Sequence, residues 1–348
     1  MPSSLAERIT KGWYGGAFWL HFLRPLSALF FLITVVRKFL YQRGFKKSYH
    51  SPIPVIVVGN ITVGGAGKSP LVSYLVKQLQ GLGYAPGVVS RGYGATNDLS
   101  EATLVSHDSL PSEVGDEPLM LKRKLNCAVA VSPNRAKAIE LLLSQGCDIV
   151  VADDGLQHLA MARDIEICVF DSQRLWGNGR LLPSGPLRES LNALKRVDYL
   201  VFNGGLPSRE IAPLTSWLRA PCIGMHLKPE NLVSLSGGES KPLHDFKGQR
   251  VNAIAGIGNP ERFFNTLESQ DILVERFPFV DHHDFQISDF KGLNDEPIIM
   301  TEKDAVKCRS LSVDKNINNA WYLPVDAQLD DNLAQQIVSD LKESGRLT

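Results

Sequence analysis

The fold is restricted most by residues 55–72, which have the sequence VIVVGNITVGGAGKSPLV. A β-branched run, typical of a buried parallel strand, leads into a glycine-rich turn and then into an amphipathic helix pattern over residues 69–81. This is the setting of a phosphate-binding loop, although the usual pattern has a glycine five residues before Gly67, where this chain has Thr62. The sequence therefore predicts a strand–loop–helix unit that departs from the usual pattern at Thr62.

The inner part of the loop keeps the groups that a phosphate needs. Glycines let backbone N–H groups turn inward on an anion, a lysine supplies positive charge, and a hydroxyl can bind Mg²⁺. The residues predicted to bind nucleotide in this way are Gly64, Gly65, Ala66, Gly67, Lys68 and Ser69. A glycine-rich turn without a ligand is the alternative, but the strand before it and the helix after it favour a nucleoside triphosphate site.

Strand and helix patterns alternate beyond this unit. The succession predicts an α/β fold of the P-loop NTPase type, with a mostly parallel sheet covered by helices and ligands at the carboxyl ends of the strands. The predicted strands lie at residues 54–60, 85–94, 127–133, 147–155, 164–171 and 197–203, and the predicted helices at 69–81, 114–125 and 134–145.

Length and a change of pattern near residue 222 predict two domains. The 348 residues exceed the roughly 100–200 of an average domain. Shorter strand candidates, separated by loops, follow residue 222. We expect an N-terminal membrane-associated helical segment at 1–47, a P-loop core domain at 48–222, a smaller α/β domain at 223–322 and a C-terminal helix at 323–348.

The N-terminal segment is apolar and then basic. Two charge-free runs of 12 residues, 12–23 and 25–36, are separated only by Arg24, and dense positive charge follows over 37–47. A single membrane span would place Arg24 near its middle, which is costly, whereas a helix in the interface of an anionic leaflet accommodates both features. We therefore expect peripheral or monotopic membrane attachment, with an arm packed on the protein's own core as the alternative.

Overall charge and cysteine use argue against several function classes. Lys plus Arg equals Asp plus Glu at 37 each, so the net charge does not favour binding of nucleic acid. The five cysteines form no Cys-x-x-Cys pair, which argues against a zinc site or a disulfide framework. No sequence feature indicates an obligate protein partner.

Two acidic pairs are candidates for the chemistry. Asp153 and Asp154 end a predicted strand, as the Walker-B carboxylate does beside a phosphate loop, where it holds Mg²⁺ directly or through water. A helix cap is the alternative. Asp116 and Glu117 could likewise cap a helix, or could place a carboxylate near an acceptor hydroxyl, as a kinase requires.

Other polar residues follow strand ends, where phosphate or sugar groups would lie. Arg91, Tyr93 and Arg135 are candidates of this kind, with solvated surface side chains as the alternative. The adjacent His282 and His283 lie either in an ordinary loop or where one of them crosses a cleft to a catalytic carboxylate. Lys303 also follows a predicted strand, but a residue without a role in the site is the favoured interpretation there.

Seven segments in this order resemble the tetraacyldisaccharide 4′-kinase family, the lipid A 4′-kinases of Gram-negative bacteria. They are GNITVGGAGKSP, SRGYG, GDEP, ADDGLQH, GNGRLLPSGPLRE, DHHDF and TEKDA. The resemblance implies a P-loop kinase that transfers the γ-phosphate of ATP, with Mg²⁺, to the 4′-hydroxyl of a tetraacylated glucosamine disaccharide 1-phosphate, giving lipid IVA. It also implies attachment to the cytoplasmic side of the bacterial inner membrane.

The resemblance implies roles for individual residues. Lys68 and Ser69 correspond to the phosphate and Mg²⁺ ligands of the loop, although the family commonly has threonine in place of Ser69. Asp153 and Asp154 correspond to the acidic pair of the metal site. Asp116 corresponds to the catalytic aspartate, and His282 to its histidine partner. His283 leaves the choice of histidine partly open. Less defined roles near the reaction centre fall to Glu117, Arg135, His158 and Glu189.

Two other classes of protein fit part of the pattern. A P-loop NTPase switch or metallocentre chaperone would use the same loop to act on a protein partner, but it has no need of the aromatic and basic N-terminus. A non-catalytic membrane-docking protein with a vestigial loop would not need the intact Lys68, Ser69, Asp153 and Asp154. The kinase interpretation is therefore favoured, with Asp116 accepting the hydroxyl proton and domain closure bringing His282 to it.

Overall fold

The structure is a computed structural model that describes residues 5–96, 101–207, 218–293, 295–311, 317 and 319–347. The strands of these residues form two sheets, one of nine strands and one of six. In chain order they are β1 (Val55–Gly59), β2 (Pro86–Ser90), β3 (Thr103–Leu104), β4 (Val129–Val131), β5 (Ile149–Asp153), β6 (Ile165–Asp171), β7 (Tyr199–Asn203), β8 (Cys222–Pro229), β9 (Leu232–Ser234), β10 (Ser240–Lys241), β11 (Arg250–Ala255), β12 (Leu273–Pro278), β13 (Ile298–Thr301), β14 (Ala320–Leu323) and β15 (Val325–Leu329).

The first sheet has the strand order β15-β8-β7-β6-β1-β5-β2-β4-β3. The strands from β8 to β4 in this order run parallel, and the edge strands β15 and β3 are antiparallel to their neighbours. Because β1 lies between β5 and β6, the segments that follow β1 and β5 leave the sheet side by side at its carboxyl edge. The predicted mostly parallel α/β fold is confirmed, and the fold places the phosphate loop beside Asp153.

The first sheet is buried on both faces. Alternate residues of β1 belong to separate apolar clusters, with Ile56 and Val58 on one face and Val55 and Val57 on the other. A strand with one solvated face would alternate apolar and polar residues, whereas a strand covered on both faces is apolar throughout. This burial explains the continuous β-branched run in the sequence.

The second sheet has the strand order β10-β9-β14-β13-β11-β12. Its strands β12, β11, β13 and β14 run parallel. Strand β9 is antiparallel to β14, and β10 is antiparallel to β9. The sequence placed the strand at Cys222–Pro229 with the smaller domain, but this strand pairs in parallel with β7 in the first sheet. Its side chains Ile223 and Met225 are buried in the core of that sheet, which is the physical reason for its position. The division of the chain into domains at residue 222 stays a prediction.

The three helices predicted in the core agree with the observed ones to within two residues at each end. The predictions at 69–81, 114–125 and 134–145 correspond to Lys68–Gly81, Asp116–Lys124 and Arg135–Ser144. In the segment 323–348, predicted as a C-terminal helix, Val325–Leu329 is instead strand β15, paired with β8, and the helix is Leu333–Glu343. The other α-helices among the described residues are Leu5–Gly15, Arg24–Gln42, Pro111–Val114, Pro260–Glu268, Glu302–Cys308 and Leu333–Glu343, and the 3₁₀ helices are Phe18–Leu23, Leu191–Arg196, Leu243–Phe246, Ile287–Phe290 and Arg309–Leu311.

The N-terminal helices contact the loop that precedes Glu189. The Ser27 hydroxyl donates a hydrogen bond of 2.9 Å to the carbonyl of Leu181 and accepts one of 3.1 Å from the N–H of Ser184. The stretch Phe18–Gln42 has 25 residues, and its most apolar window of 18 residues has a mean hydropathy of 1.7, so its length and composition suffice to cross a membrane.

Most of this stretch is not covered by the rest of the protein. No residue of the helix Arg24–Gln42 is buried. Large apolar side chains face outward, with Phe22 76% and Leu26 54% exposed. This exposure favours association with a membrane over an arm packed on the protein's own core.

Candidate active site

The phosphate loop follows β1 and leads into the helix Lys68–Gly81. Gly64 and Gly67 have φ angles of +107° and +95°, which residues with a side chain rarely adopt. A Cβ on Gly67 would lie 2.3 Å from Nδ2 of Asn203. This buried amide donates a hydrogen bond of 3.1 Å to the carbonyl of Ala66. Glycine is therefore required at 67 both by the backbone and by the side chain that holds the loop.

Thr62 lies before the turn and is paired with another segment. It forms an antiparallel bridge with Leu187, and the N–H of Val63 donates a hydrogen bond of 2.9 Å to the carbonyl of Pro186. Thr62 has no positive φ, unlike Gly64. A glycine is consequently not needed at position 62, and the departure from the usual pattern leaves the turn intact.

Asp154 lies immediately after β5 and contacts two cations. Its Oδ1 is 3.6 Å from Nζ of Lys68, and its Oδ2 is 3.0 Å from Nη1 of Arg188. Burial opposes ionisation of Asp154, but the charges of Lys68 and Arg188 outweigh it and lower the pKa of this carboxyl. The acidic segment and the lysine of the phosphate loop are therefore in direct contact, as the sequence pattern predicts.

Asp153 ends β5, and its carboxylate is buried. It is 1% exposed, and neither carboxylate oxygen has a hydrogen-bond partner among the residues that the structure describes. Burial raises its pKa to about 7, with the Glu117 charge adding to the rise and Lys68 opposing it. A buried carboxylate of this kind is costly unless a cation compensates it.

The residues at this point fit a Mg²⁺ ion. Mg²⁺ binds oxygen ligands, usually one or two carboxylates, and completes its shell with water and substrate phosphates. Asp153, Asp154 and Ser69 are the side chains that would hold it. Across the described ranges no group of three His, Cys, Asp or Glu side chains could hold a metal by itself, so the phosphates of a nucleotide would have to contribute ligands.

Asp116 and His282 come together from opposite parts of the chain. Asp116 begins the helix Asp116–Lys124, and His282 lies in the loop after β12, with its Nδ1 3.2 Å from Oδ2 of Asp116. Burial opposes ionisation of Asp116, but the hydrogen bond from His282 and the charge of Lys303 lower the pKa of this carboxyl. The same hydrogen bond raises the pKa of His282, against burial and the Lys303 charge. Asp116 is thus an ionised carboxylate held against His282, which lines the same cavity as the phosphate loop.

His283 takes part in a separate set of contacts. Its Nε2 lies 2.9 Å from Oδ2 of Asp289, and its ring contacts the rings of Phe279 and Phe285. His282 has a φ of +62°, so the chain turns sharply between the two histidines. Of the two histidines that the sequence left open, the structure brings His282 to Asp116.

Arg91 and Tyr93 lie in the exposed turn after β2. The Tyr93 ring meets the His282 ring edge-on at a centroid distance of 5.0 Å. A Cβ on Gly115, which has a φ of +90°, would lie 2.6 Å from the carbonyl of Tyr93. The Tyr93 turn and the start of the Asp116 helix therefore pack directly together, and Arg91 lines a cavity that also contains the phosphate loop.

Arg135 and His158 lie close to the acidic segment. Arg135 is buried and donates hydrogen bonds of 2.9 Å and 3.1 Å to the carbonyls of Asp153 and Asp154. Burial lowers the pKa of Arg135 to about 10. Burial, together with the charges of Arg135 and Arg163, lowers the pKa of His158 to about 4. Arg135 thus supports the backbone that carries the two aspartates, and its predicted role toward a phosphate stays a prediction.

Glu189 and Glu117 form ion pairs. Glu189 is buried, pairs with Lys38 and Arg196, and accepts a hydrogen bond of 3.0 Å from Gln157. Burial opposes its ionisation, but these cations lower its pKa to about 2. Glu117 lies 3.0 Å from Nζ of Lys303. Glu189 therefore links the N-terminal helix to the core, and Glu117 links the Asp116 helix to the second sheet.

These groups line one cavity of about 1200 Å³. Its walls include the phosphate loop, Asp153, Asp154 and His282, and also Phe30 and Ile33 of the N-terminal helix. The cavity therefore extends from a nucleotide-binding loop to an exposed apolar helix.

Three residues of the cavity were missed in the sequence. Asn203 ends the buried strand β7. Its position, as a polar residue at the carboxyl end of that strand, could have indicated a place in the site. Arg188 lies in the segment GNGRLLPSGPLRE, but its contact with Asp154 depends on the fold. Arg262 reaches the cavity from the helix Pro260–Glu268, with its Nη1 3.8 Å from Oδ2 of Asp171, and no local pattern distinguishes it.

The phosphate loop, the buried Asp153 and His282 line one cavity, and His282 contacts Asp116; together they define a nucleotide-dependent α/β P-loop enzyme of the kinase class. A family model described as tetraacyldisaccharide-1-P 4′-kinase matches residues 19–342. The chain belongs to this family.

Individual relatives agree over almost the whole length. The tetraacyldisaccharide 4′-kinase of Methylobacillus flagellatus is 42% identical over 344 residues, which cover 98% of each chain. That of Haemophilus influenzae is 45% identical over 320 residues, which cover 91% of each chain. A crystal structure of LpxK from Aquifex aeolicus in complex with ATP is 30% identical, with a TM-score of 0.76 over 93% of this chain and 99% of that one.

Proposed function

We propose that this chain phosphorylates the 4′-hydroxyl of a tetraacylated glucosamine disaccharide 1-phosphate, with ATP as the phosphate donor and lipid IVA as the product. Family membership and the names of the relatives support the reaction. The ATP bound in the Aquifex LpxK crystal supports the donor. The observation that carries the proposal is the 3.2 Å contact between Nδ1 of His282 and Oδ2 of Asp116, in a cavity that extends from the phosphate loop to the apolar N-terminal helix.

The phosphate loop would hold the triphosphate of ATP. The backbone N–H groups of residues 64–69 surround the phosphates, and Lys68 adds a positive charge. When bound by Ser69, Asp153 and Asp154, Mg²⁺ would neutralise charge on the phosphate oxygens. Arg188, in contact with Asp154, restricts the position of that carboxylate.

Asp116 would act on the acceptor hydroxyl. The 4′-oxygen forms a bond to the γ-phosphorus while Asp116 accepts its proton, and the bond from that phosphorus to the β,γ-bridging oxygen breaks to release ADP. His282 donates to one oxygen of Asp116 and so orients the other toward the hydroxyl. Arg91, Tyr93 and His158 line the same cavity. There they would contact the sugar or its phosphate.

The acceptor is a lipid, so the enzyme would work at a membrane surface. Each CH₂ group removed from the bilayer costs about 0.8 kcal/mol, which prevents a substrate with four acyl chains from leaving. The exposed apolar face of Phe18–Gln42 would lie in the membrane, and the basic residues 37–47 would meet anionic headgroups, including the 1-phosphate of the substrate. We place this attachment, peripheral or monotopic, on the cytoplasmic side of the bacterial inner membrane.

Incubation of the enzyme with ATP labelled at the γ-phosphate and the disaccharide 1-phosphate in mixed micelles tests the proposal. Label on the lipid is the expected result. Label recovered only as free phosphate would instead indicate an NTPase switch, and no turnover would indicate a docking protein.

The same assay tests the Asp116–His282 pair. Asp116→Ala and His282→Ala should each lower kcat by about 10²–10⁴-fold with little change in ATP affinity, because general-base chemistry of this kind is lost. His283→Ala is the matched control and should retain most of the turnover, because His283 contacts Asp289 instead. Equal losses for the two histidine variants would contradict the assignment.

A further inference from the structure

Lys303 lies beside His282, in the segment TEKDA. The proposed phosphate transfer uses no residue of this segment. Lys303 belongs to the first turn of the helix Glu302–Cys308, and its side chain is 15% exposed. Its Nζ lies 3.0 Å from Oε1 of Glu117, 3.4 Å from Oδ1 of Asp281 and 3.2 Å from Nε2 of His282. An ammonium group has three N–H donors and no acceptor, so these three contacts match its full capacity.

The contact with Lys303 favours one tautomer of the His282 ring. Because the ammonium can only donate, Nε2 must present its lone pair, and the single ring proton must be on Nδ1. Nδ1 then donates to Asp116, which accepts as an ionised carboxylate. The direction of both hydrogen bonds therefore follows from the charge of Lys303.

We propose that Lys303 is a positioning residue that holds His282 in its neutral, Nδ1-protonated form and so keeps Asp116 able to accept the proton of the acceptor hydroxyl. The inference rests on the kinase function proposed for the same site. Lys303 acts through His282 and takes no part in bond formation. Its contact with Glu117 joins it to the residue that follows Asp116, so it also fixes the relative position of the two halves of the pair.

The other charged groups around His282 favour its protonated form. Asp116 faces Nδ1 from the start of its helix, and Asp281, in the same loop as His282, has its Oδ1 3.9 Å from Nε2. The Tyr93 ring covers one side without a charge. Without the Lys303 ammonium, the two carboxylates would favour a proton on both ring nitrogens. A doubly protonated ring would form an ion pair with Asp116 and make that carboxylate a weaker base.

Lys303→Met tests this role, because methionine keeps much of the side-chain length but removes the charge. Loss of the ammonium should raise the pKa of His282, so the neutral ring and the activity should appear at higher pH. We expect kcat to fall at least about tenfold at neutral pH, the acid limb of its pH profile to move up by about one unit, and the loss to be largely recovered in alkaline solution. The KM for ATP should change little, since Lys303 contacts Glu117, Asp281 and His282 and no residue of the phosphate loop.

Lys124→Met is the matched control. Lys124 is 9% exposed and, like Lys303, pairs with two carboxylates. Its Nζ lies 3.2 Å from Oε2 of Glu302 and 3.2 Å from Oδ1 of Asp326. Its loss removes a buried lysine of the same kind but should leave the acid limb in place. Lys303→Arg, which keeps the charge and the donors, should also keep the wild-type limb even where its kcat is lower.

Several results would overturn the inference. These are an unmoved acid limb in Lys303→Met, a loss of kcat that is equal at every pH, or the same shift in Lys124→Met. If Lys303→Met does not fold, the ring ¹⁵N signals of His282 in the wild type decide, because a doubly protonated or Nε2-protonated ring contradicts the proposal. A wild-type enzyme that transfers no phosphate to the lipid would refute the kinase function instead, so the two failures are distinguishable.

Discussion

Substitution of Gly67 by alanine separates two reasons for a glycine in the phosphate loop. The φ of +95° puts alanine in the left-handed region, which costs about 1–2 kcal/mol. The new Cβ would also lie 2.3 Å from Nδ2 of Asn203, so this amide must move and lose its hydrogen bond to Ala66. An unpaired buried polar group costs about 1–3 kcal/mol more. We therefore expect Gly67→Ala to lower the free energy of unfolding by roughly 2–5 kcal/mol.

Gly146→Ala is the matched control for this experiment. Gly146 has a φ of +79°, and a Cβ there would meet no atom within 4 Å, so alanine costs only the backbone strain. The difference between the two variants in urea unfolding without nucleotide, about 1–3 kcal/mol, measures the displacement of Asn203. Titration calorimetry should show weaker ATP binding for Gly67→Ala alone. Equal destabilisation and equal ATP affinity in the two variants would refute the argument that Asn203 constrains the loop.

Two other predictions concern Glu189 and the N-terminal helix. The folded pKa of Glu189, about 2, lies below its ordinary value of 4.5, so its stabilisation is present above that value and is lost in acid. Glu189→Gln should lower the free energy of urea unfolding by about 2–3 kcal/mol at neutral pH and match the wild type near pH 2, and a difference that persists in acid would contradict this. Phe22→Glu with Leu26→Glu puts charge on the exposed apolar face and should reduce co-sedimentation with anionic vesicles at least about tenfold. ATP binding should be unchanged, and undiminished vesicle binding would exclude this face as the attachment surface.

The parallel sheet could be predicted because burial on both faces leaves a local pattern. The four apolar side chains of β1, from Val55 to Val58, each belong to one of the two apolar clusters, so the run contains no polar residue. The placement of Cys222–Pro229 had no such signal. Its buried half and its exposed His226 and Lys228 indicate a strand near an edge, but the same pattern fits either sheet. Its partner is β7, and this pairing is a property of the whole fold.

The residue types of the site could be predicted, but their contacts could not. Asp116 and His282 are 166 residues apart in the chain, and their hydrogen bond requires both sheets. The choice between His282 and His283 depends on the φ of +62° at His282, which no neighbouring residue dictates. Lys303 was undervalued for the same reason, because its three partners come from two separate parts of the sequence.

Asp116 and Asp153 show how one candidate active site gives two carboxylates different tasks. Both are buried, with exposures of 6% and 1%. The pKa of Asp116 is lowered because His282 and Lys303 compensate its charge, against the effect of burial. The pKa of Asp153 is raised to about 7 because burial dominates and neither oxygen has a hydrogen-bond partner among the described residues. Opposite shifts of two acids in one site distinguish their functions. Protein groups alone therefore prepare Asp116 to accept a proton, whereas Asp153 requires a bound cation to compensate its charge.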